Sequence, residues 1–276
     1  MATDVLAVIG VGGMGQAIAR RQGAGRRLLL ADLDEKTLGS AAEGLRGQGH
    51  DVTAQVVDVA SRPSVASLAE AAARLGPVAQ VAHTAGLSPV QAPPEAILRV
   101  DLLGTALVLE EFGHVVARGG AGVVISSMAG HLLPAPMEPE QEHALAHTPA
   151  DELLALPFVT GGDLGPTAYG LAKYGNRLRV QAASITWGRR GARVNSISPG
   201  VIATPMGQQE LEGAGGDTMR AMISASATGR VGTPDDIAAA AEFLLGPSAT
   251  FVTGTDLLVD GGVVAAVRAG RLHRDR

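Results

Sequence analysis

Apolar residues along this chain fall into short, nearly unbroken runs, separated by longer stretches in which they recur every three or four positions. The short runs predict strands at Val5–Gly10, Arg27–Ala31, Val52–Val57, Val78–His83, Gly122–Ser126, Arg193–Ser198 and Asp256–Val259. The longer stretches predict helices near Met14–Gln22, Glu35–Arg46, Arg62–Leu75, Pro94–Ala117, Thr167–Arg189 and Pro234–Leu245. Runs that are apolar throughout suit parallel strands buried on both faces. Strand and helix in alternation imply right-handed crossovers, hence one α/β domain with a doubly wound parallel sheet of about seven strands.

One segment breaks the alternation. About 40 residues lie between Ser127 and Tyr169, rich in Pro and His and without a strand pattern. Within it, Thr148-Pro149-Ala150-Asp151-Glu152 offers a cap, a proline at the first helical position and acids in the first turn, which predicts a short helix through Leu156. A second short helix is predicted across Glu140–His147. Two helical pieces in so long a connection make 131–166 a structured, lid-like insert over the substrate. Residues 205–228 form a further loop region on the substrate side, and 268–276 form a tail.

Composition narrows the possibilities. With 46% hydrophobic and 18% charged residues the chain can bury a full core, and with 3% aromatics that core is made of Ala, Val, Leu and Ile. A net charge of −5 gives no electrostatic footprint for nucleic acid, and the basic cluster Arg268–Arg276 reads as solvated or as a subunit contact. The chain has no cysteine, which excludes disulfides and thiolate-held metals and permits a cytoplasmic location. The chain enters an apolar run directly after Met-Ala-Thr-Asp with no basic leader, and no run of apolar residues is long enough for a membrane span.

Candidate chemistry begins at the first strand, which runs into Gly10-Val11-Gly12-Gly13-Met14-Gly15 and then a helix. Glycines there allow a tight bend and close approach of the backbone, and the helix N-terminus offers unpaired N–H groups to a pyrophosphate. Asp32 ends the second strand, 22 residues after Gly10, where a carboxylate accepts hydrogen bonds from adenosine ribose hydroxyls. The same charge repels a 2′-phosphate, and no Lys or Arg in the glycine turn or directly after Asp32 offsets it. The expected cofactor is therefore NAD, with NADP the lesser candidate.

Tyr169 and Lys173 stand four residues apart in a helical stretch and so share a face. The chain has two tyrosines and two lysines among 22 basic residues, so this placement is informative. A compact ammonium lowers a neighbouring phenol from its ordinary pKa of about 10 and reaches ribose hydroxyls as a point donor. The phenol then exchanges a proton with a substrate hydroxyl or carbonyl while hydride moves to or from a nicotinamide.

Taken together, these pieces resemble the short-chain dehydrogenase/reductase family over nearly the whole chain. The glycine turn is followed by Asp58-Val59, Thr84-Ala85-Gly86, Ile125-Ser126-Ser127-Met128-Ala129-Gly130 and Tyr169-Gly-Leu-Ala-Lys173. Then come Arg193-Val194-Asn195-Ser196-Ile197-Ser198-Pro199-Gly200, Thr204-Pro205-Met206, and Thr253-Gly254 leading to Val259-Asp260-Gly261-Gly262. The resemblance implies a Rossmann-type sheet of order 3-2-1-4-5-6-7 and NAD(H)-dependent interconversion of a secondary alcohol and a ketone. It makes Tyr169 the general acid/base, Ser127 the group that orients the substrate oxygen, and Lys173 a partner of both phenol and ribose. It sets Asp32 and Leu33 at the adenosine ribose, Asp58 and Val59 beside the adenine, and Thr84, Ala85 and Gly86 along the groove. Pro199, Gly200, Val201, Ile202 and Thr204 would cradle the nicotinamide, with Val201 or Ile202 offering a backbone partner to its carboxamide. It further implies a homo-oligomer, a dimer or homotetramer, with which the apolar face of Ala96–Val116 is compatible.

Three departures from the family's usual pattern stand out. Ile9 replaces a threonine and the glycine turn is one residue short. His83-Thr84-Ala85-Gly86 replaces Asn-Asn-Ala-Gly. A helical asparagine that often completes a proton relay appears as Asp101, a candidate for holding a water in its place.

The insert resembles the arrangement in the 3α-hydroxysteroid dehydrogenase/carbonyl reductase branch. Its Leu132, Leu133, Leu153, Leu154 and Phe158 are expected to wall an apolar cavity, with Met206, Met219 and Met222 opposite, so the expected substrate is a bulky, largely apolar alcohol or ketone. The alternative for these residues is a lid that only shields the cofactor. His143 and His147 have a metal-compatible spacing but no third ligand in sequence, and no metal is expected. Two other functions stay open: a non-catalytic NAD-binding regulator, which has no need of Ser127, Tyr169 and Lys173 together, and a dehydratase or epimerase on the same fold.

Overall fold

The computed structural model describes residues 3–160, 165 and 167–271. Strand β1 (Val5–Ile9) lies at the centre, and its side chains alternate between two cores. Val5, Ala7 and Ile9 face one, Leu6 and Val8 the other, and all five are fully buried. That double burial is why the run carries no polar residue.

Around β1 the chain winds through α1 (Gly13–Gln22), β2 (Arg27–Asp32), α2 (Glu35–Gly47), β3 (Asp51–Val56), α3 (Arg62–Leu75) and β4 (Val78–His83). It continues through α4 (Pro94–Ile97), a π-helical segment Leu98–Leu103, α5 (Gly104–Val115) and β5 (Val116–Ile125). The insert supplies α6 (Pro139–His147), α7 (Ala150–Leu153) and α8 (Pro157–Thr160). The remainder is α9 (Thr167–Arg189), β6 (Arg193–Pro199), α10 (Pro205–Glu212), α11 (Gly216–Ala225), α12 (Pro234–Leu245), β7 (Asp256–Val259) and α13 (Val263–Arg268).

The seven strands are parallel, in the order β3-β2-β1-β4-β5-β6-β7 that the resemblance implies. One face is covered by α3, α5 and α9 through residues such as Leu68, Leu107 and Val180; the other by α1, α2 and α12 through Ile18, Leu38 and Ile237. The turns after β1, β2, β4, β5 and β6 therefore gather at one edge of the sheet, where ligands bind in such folds.

Two expectations are corrected. The stretch Pro94–Ala117 is not one regular helix: between α4 and α5 the backbone widens into a π segment, with the Gly104 N–H bonded to the Arg99 carbonyl five residues back. Strand β5 then starts at Val116, six residues ahead of the expected Gly122.

The second correction concerns the insert. Leu145, Ala150, Leu153 and Val159 are buried in the α3/α5/α9 core, and α6 lies along α9. Polar contacts fasten this docking: Arg62 pairs with Asp151 at 2.9 Å, Glu110 Oε1 accepts the Ala150 N–H at 3.2 Å, and Arg179, paired with Glu110 at 2.9 Å, donates to the Leu145 carbonyl. Leu153 thus belongs to the core instead of walling a cavity, and Leu154 and Phe158 pack against the same core. Residues 161–164 and 166 of the insert, and 272–276 of the tail, lie outside the described residues.

Candidate active site

The glycine turn is built on backbone contacts that tolerate no side chain. Gly10 has φ +91°, and a Cβ there would stand 2.4 Å from the Ala85 nitrogen. A Cβ on Gly15 would meet the Gly10 carbonyl at 2.0 Å. Gly12 differs: its Cβ direction is open, with nothing within 4 Å. It also leads into α1 without any side-chain cap, so the first N–H groups of that helix remain available to an anion.

Asp32 and Thr84 hold the turn in place. The Val11 N–H donates to Asp32 Oδ2 at 2.8 Å, and the Asp34 N–H to Oδ1 at 3.1 Å. Thr84 Oγ1 donates to the Gly10 carbonyl at 2.6 Å, while the Thr84 and Ala85 N–H groups donate to the Ile9 carbonyl. The hydroxyl of Thr84, at a position where the family pattern has asparagine, thus ties β4 to the turn.

A cleft of about 410 Å³ runs along this edge, within the range of small-molecule sites. Of the residues expected to bind a cofactor, Gly10, Gly12, Gly13, Met14, Gly15, Asp32, Leu33, Asp58, Val59, Thr84, Ala85, Gly86 and Thr204 line it together. Thr37, Leu87, Gln91 and Val100 line it as well and were not singled out by sequence, since nothing in their local pattern separates them from ordinary helix and loop positions. Pro199 is buried at the end of β6, and Gly200, Val201 and Ile202 line a different, smaller cavity with Val259, Asp260 and Gly261. The open Gly12 and the uncapped helix start offer space and N–H donors to an anion, and the carboxylate at the end of β2 is an acceptor at the same cleft.

The candidate catalytic groups meet beside the cleft. Tyr169 and Lys173 are one turn apart on α9, with Nζ 5.5 Å from the phenol ring centre. Ser126, at the end of β5, donates from Oγ to the Lys173 carbonyl at 2.6 Å and pins the helix to the sheet. That contact sets the next residue, Ser127, near Tyr169, where its hydroxyl favours the deprotonated phenol. The Ser127 hydroxyl also accepts from the Ala129 N–H at 3.1 Å.

Asp101 enters the same cluster from the π segment. Its Oδ2 lies 2.9 Å from Lys173 Nζ, and its Oδ1 accepts the Leu87 N–H at 2.8 Å. A Cβ on Gly86 would stand 3.2 Å from both Lys173 Nζ and Asp101 Oδ2, so the cleft wall at Gly86 is also the wall of the ion pair.

The electrostatics follow from burial. Burial pushes the Asp101 carboxyl up, against the pull of Lys173 and the Leu87 N–H. For Lys173 burial opposes the charge, but Asp101 and Tyr169 outweigh it and the ammonium is held above its ordinary value. Sequence suggests that Lys173 lowers the phenol. It does pull that way, but burial, reinforced by Asp101 and Glu210, leaves Tyr169 above its ordinary value. His83 is fully buried, contacts Thr105 Oγ1 at 3.2 Å, and is pushed down to about 3 by burial and by Lys173; it is a neutral core residue.

On the substrate side, Leu132, Met219 and Met222 pack with Met128, Val201 and Val263 in a third apolar cluster, while Met206 lines the cleft. Glu210 on α10 stands in this region and acts on Tyr169 and Lys173. Sequence did not single it out, because it is one of several acids along α10 and α11. The His143 and His147 rings pack against each other at a 47° tilt, with centres 4.5 Å apart.

Comparisons with known proteins agree with this arrangement. The family model described as enoyl-(acyl carrier protein) reductase matches residues 10–138 and 158–264. The short-chain dehydrogenase/reductase bsc3 of Alternaria brassicicola is 43% identical over 96% of this chain and 97% of its own. D-threitol dehydrogenase of Mycolicibacterium smegmatis is 30% identical over 91% of this chain and 88% of its own. Among solved structures, a point variant of actinorhodin polyketide ketoreductase with NADPH superposes with a TM-score of 0.74 at 24% identity, covering 96% of this chain and 99% of that one. Matched over most of its length by that family model and at 43% identity by bsc3, the chain belongs to the short-chain dehydrogenase/reductase family of oxidoreductases.

Proposed function

We propose that the protein is an NAD(H)-dependent oxidoreductase that interconverts a secondary alcohol and a ketone. The observation that carries this reading is the convergence of Ser127, Tyr169, Lys173 and Asp101 at the wall of the dinucleotide-shaped cleft. A nicotinamide bound there supplies or accepts the hydride.

The chain's own groups manage the proton and the substrate oxygen. Toward the ketone, the Tyr169 oxygen takes the proton of the substrate hydroxyl; toward the alcohol it returns one. Ser127 donates a hydrogen bond to the same substrate oxygen and holds it against the phenol. Lys173 places a positive charge beside the phenol and favours its deprotonated form. Asp101 fixes the Lys173 side chain by direct pairing. A merely structural use of these groups would not require an ammonium to stand 5.5 Å from the phenol ring and behind Gly86, a residue of the cleft wall.

Asp32 supports NAD over NADP. Its carboxylate stands at the cleft end where a 2′-phosphate would lie, and both of its oxygens are already engaged by the backbone of the turn, so it has little freedom to move aside. Met206, which lines the cleft, supports a substrate with an apolar body.

The test is turnover of a panel of secondary alcohols and ketones with NAD(H), and with NADP(H) in parallel. The reading expects NADH to accumulate with an alcohol, and bulky apolar ketones to outrun small polar ones. Isomerised or dehydrated product without net NADH would overturn the oxidoreductase assignment, and faster turnover with NADPH would overturn the cofactor assignment.

A further inference from the structure

Asp256, the first residue of β7, is a carboxylate that the chemistry above does not use. Its side chain is 8% exposed, and groups from three other elements converge on it. Ser196 and Ser198, both fully buried on one face of β6, donate to its Oδ1 at 2.6 and 3.0 Å. His131 Nε2 lies 2.8 Å from its Oδ2, and Arg177 Nε lies 3.4 Å from the same oxygen. His131 ends the short 3₁₀ turn Met128–His131 that Ser127 caps, and Arg177 stands on α9 one turn beyond Lys173.

The turn is gripped from outside at its last two residues. Arg177 Nη1 donates to the Gly130 carbonyl at 3.0 Å, and Arg268 Nη2, from α13, donates to the His131 carbonyl at 3.2 Å. Inside the turn, Ser127 Oγ accepts the Ala129 N–H at 3.1 Å and the Ser127 carbonyl accepts the Gly130 N–H at 3.0 Å, so a rotation of the turn carries Ser127 with it. A Cβ on Gly130 would stand 2.8 Å from the Tyr174 nitrogen and 2.9 Å from the Lys173 carbonyl carbon; the turn bears directly on the backbone of the helix that carries Tyr169 and Lys173. Burial, helped by Arg177, holds the His131 imidazole below its ordinary value against the pull of Asp256. Near neutral pH the ring is therefore uncharged, and its Nε2–H donates to a carboxylate that can only accept. Such a contact fixes a direction as well as a distance. Apolar groups of the same shape could fill the space at little cost in stability, but they would set no direction.

We propose that Asp256 is a positioning residue of the reaction: through His131 and Arg177 it fixes the rotation of the Met128–His131 turn, and so the direction in which Ser127 presents its hydroxyl to the substrate oxygen. This rests on the alcohol/ketone reading of the site, in which Ser127 holds that oxygen against the phenol, and adds the device that holds Ser127. Asp256 is not among the residues that line the cleft, so its effect reaches the reaction only through the turn. Misalignment of a group that orients the substrate costs rate more than binding.

The experiment examines Asp256→Asn, His131→Leu and His131→Gln in the wild-type and the Ser127→Ala backgrounds. Each is measured as NAD-linked kcat and KM with the fastest of cyclohexanol, menthol and borneol, as NADH affinity, and as hydrogen exchange of the peptide that spans the turn. Asp256→Asn is nearly isosteric and should lower kcat by about tenfold to a hundredfold, with KM and NADH affinity within about twofold of the wild type. His131→Leu should lose a similar factor, and His131→Gln, which returns an amide N–H to the carboxylate, should recover part of it. In the Ser127→Ala background Asp256→Asn should cost nothing further, because no hydroxyl is left to misalign. Exchange in the turn should quicken by about tenfold in Asp256→Asn while that of α9 is unchanged. An equal loss of kcat in the two backgrounds overturns the proposal, as does an unchanged kcat in Asp256→Asn. If Asp256→Asn does not fold, His131→Leu with and without Ser127→Ala reads the same coupling. Absence of NADH formation from all three alcohols would count against the alcohol/ketone reading, and exchange then decides: faster exchange confined to the turn upholds Asp256 as the group that holds Ser127, and exchange equal to that of the wild type overturns it.

Discussion

Asp101 Oδ2 and Lys173 Nζ are 2.9 Å apart, with side-chain exposures of 0% and 5%, and the pair stands directly behind the phenol of Tyr169. The ammonium that favours a phenolate is therefore partly neutralised by a carboxylate from the π segment. Its Oδ1 accepts the Leu87 N–H, and its Oδ2 faces the ammonium as an ion pair.

The first prediction concerns pH. Asp101 raises Tyr169, so Asp101→Asn removes that contribution and lowers the phenol. Alcohol oxidation needs the deprotonated phenol and rises as pH passes through its pKa, so the rising limb of kcat/KM should move to lower pH in the variant. A limb that stays in place or moves to higher pH contradicts the electrostatic role of Asp101.

A second prediction separates pairing from chemistry. Lys173→Met leaves Asp101 buried without a counter-charge and should cost about 3–5 kcal/mol of stability, measured by urea unfolding. The double variant Lys173→Met with Asp101→Leu replaces both charges by apolar groups and should recover most of that loss. Its activity should remain down by about 10²-fold or more. Recovery of turnover along with stability would show that Lys173 is needed only for folding.

Asp32→Ala removes the carboxylate from the adenosine end of the cleft. The ratio of kcat/KM for NADP to that for NAD should rise by about tenfold to a hundredfold, because the like charge is gone. Both cofactors should bind less well than NAD does in the wild type, since the Val11 and Asp34 N–H groups lose their acceptor. An unchanged ratio would move the source of cofactor selection away from Asp32.

The glycine turn divides its residues between fold and ligand. Gly12→Val has open space for its side chain and should leave the unfolding midpoint unchanged while weakening NADH binding, followed by fluorescence titration. Gly15→Ala drives a methyl to 2.0 Å from the Gly10 carbonyl and should lower stability itself. Equal stability losses in the two variants would deny Gly12 a place at the ligand.

The sheet and the glycine-lined cleft were legible in the sequence because local chemistry dictates both. An apolar run such as Val5–Ile9 has no surface use, and a positive φ at Gly10 admits little else. The pairing of Asp101 with Lys173 was not legible. It joins residues 72 positions apart and depends on a π segment that leaves no mark on a helical pattern. The insert misled for a related reason: leucines that dock a helix on a core look the same in sequence as leucines that wall a cavity, and the deciding contacts, Arg62 with Asp151 and Glu110 with Ala150, lie far apart along the chain.

The most direct measurement compares NADH formation from a secondary alcohol by the wild type and by Tyr169→Phe, with NADH affinity determined for both. Loss of turnover by about 10²- to 10⁴-fold with NADH affinity retained is the predicted result. Turnover in the phenylalanine variant equal to that of the wild type would mean that the phenol does not carry the proton.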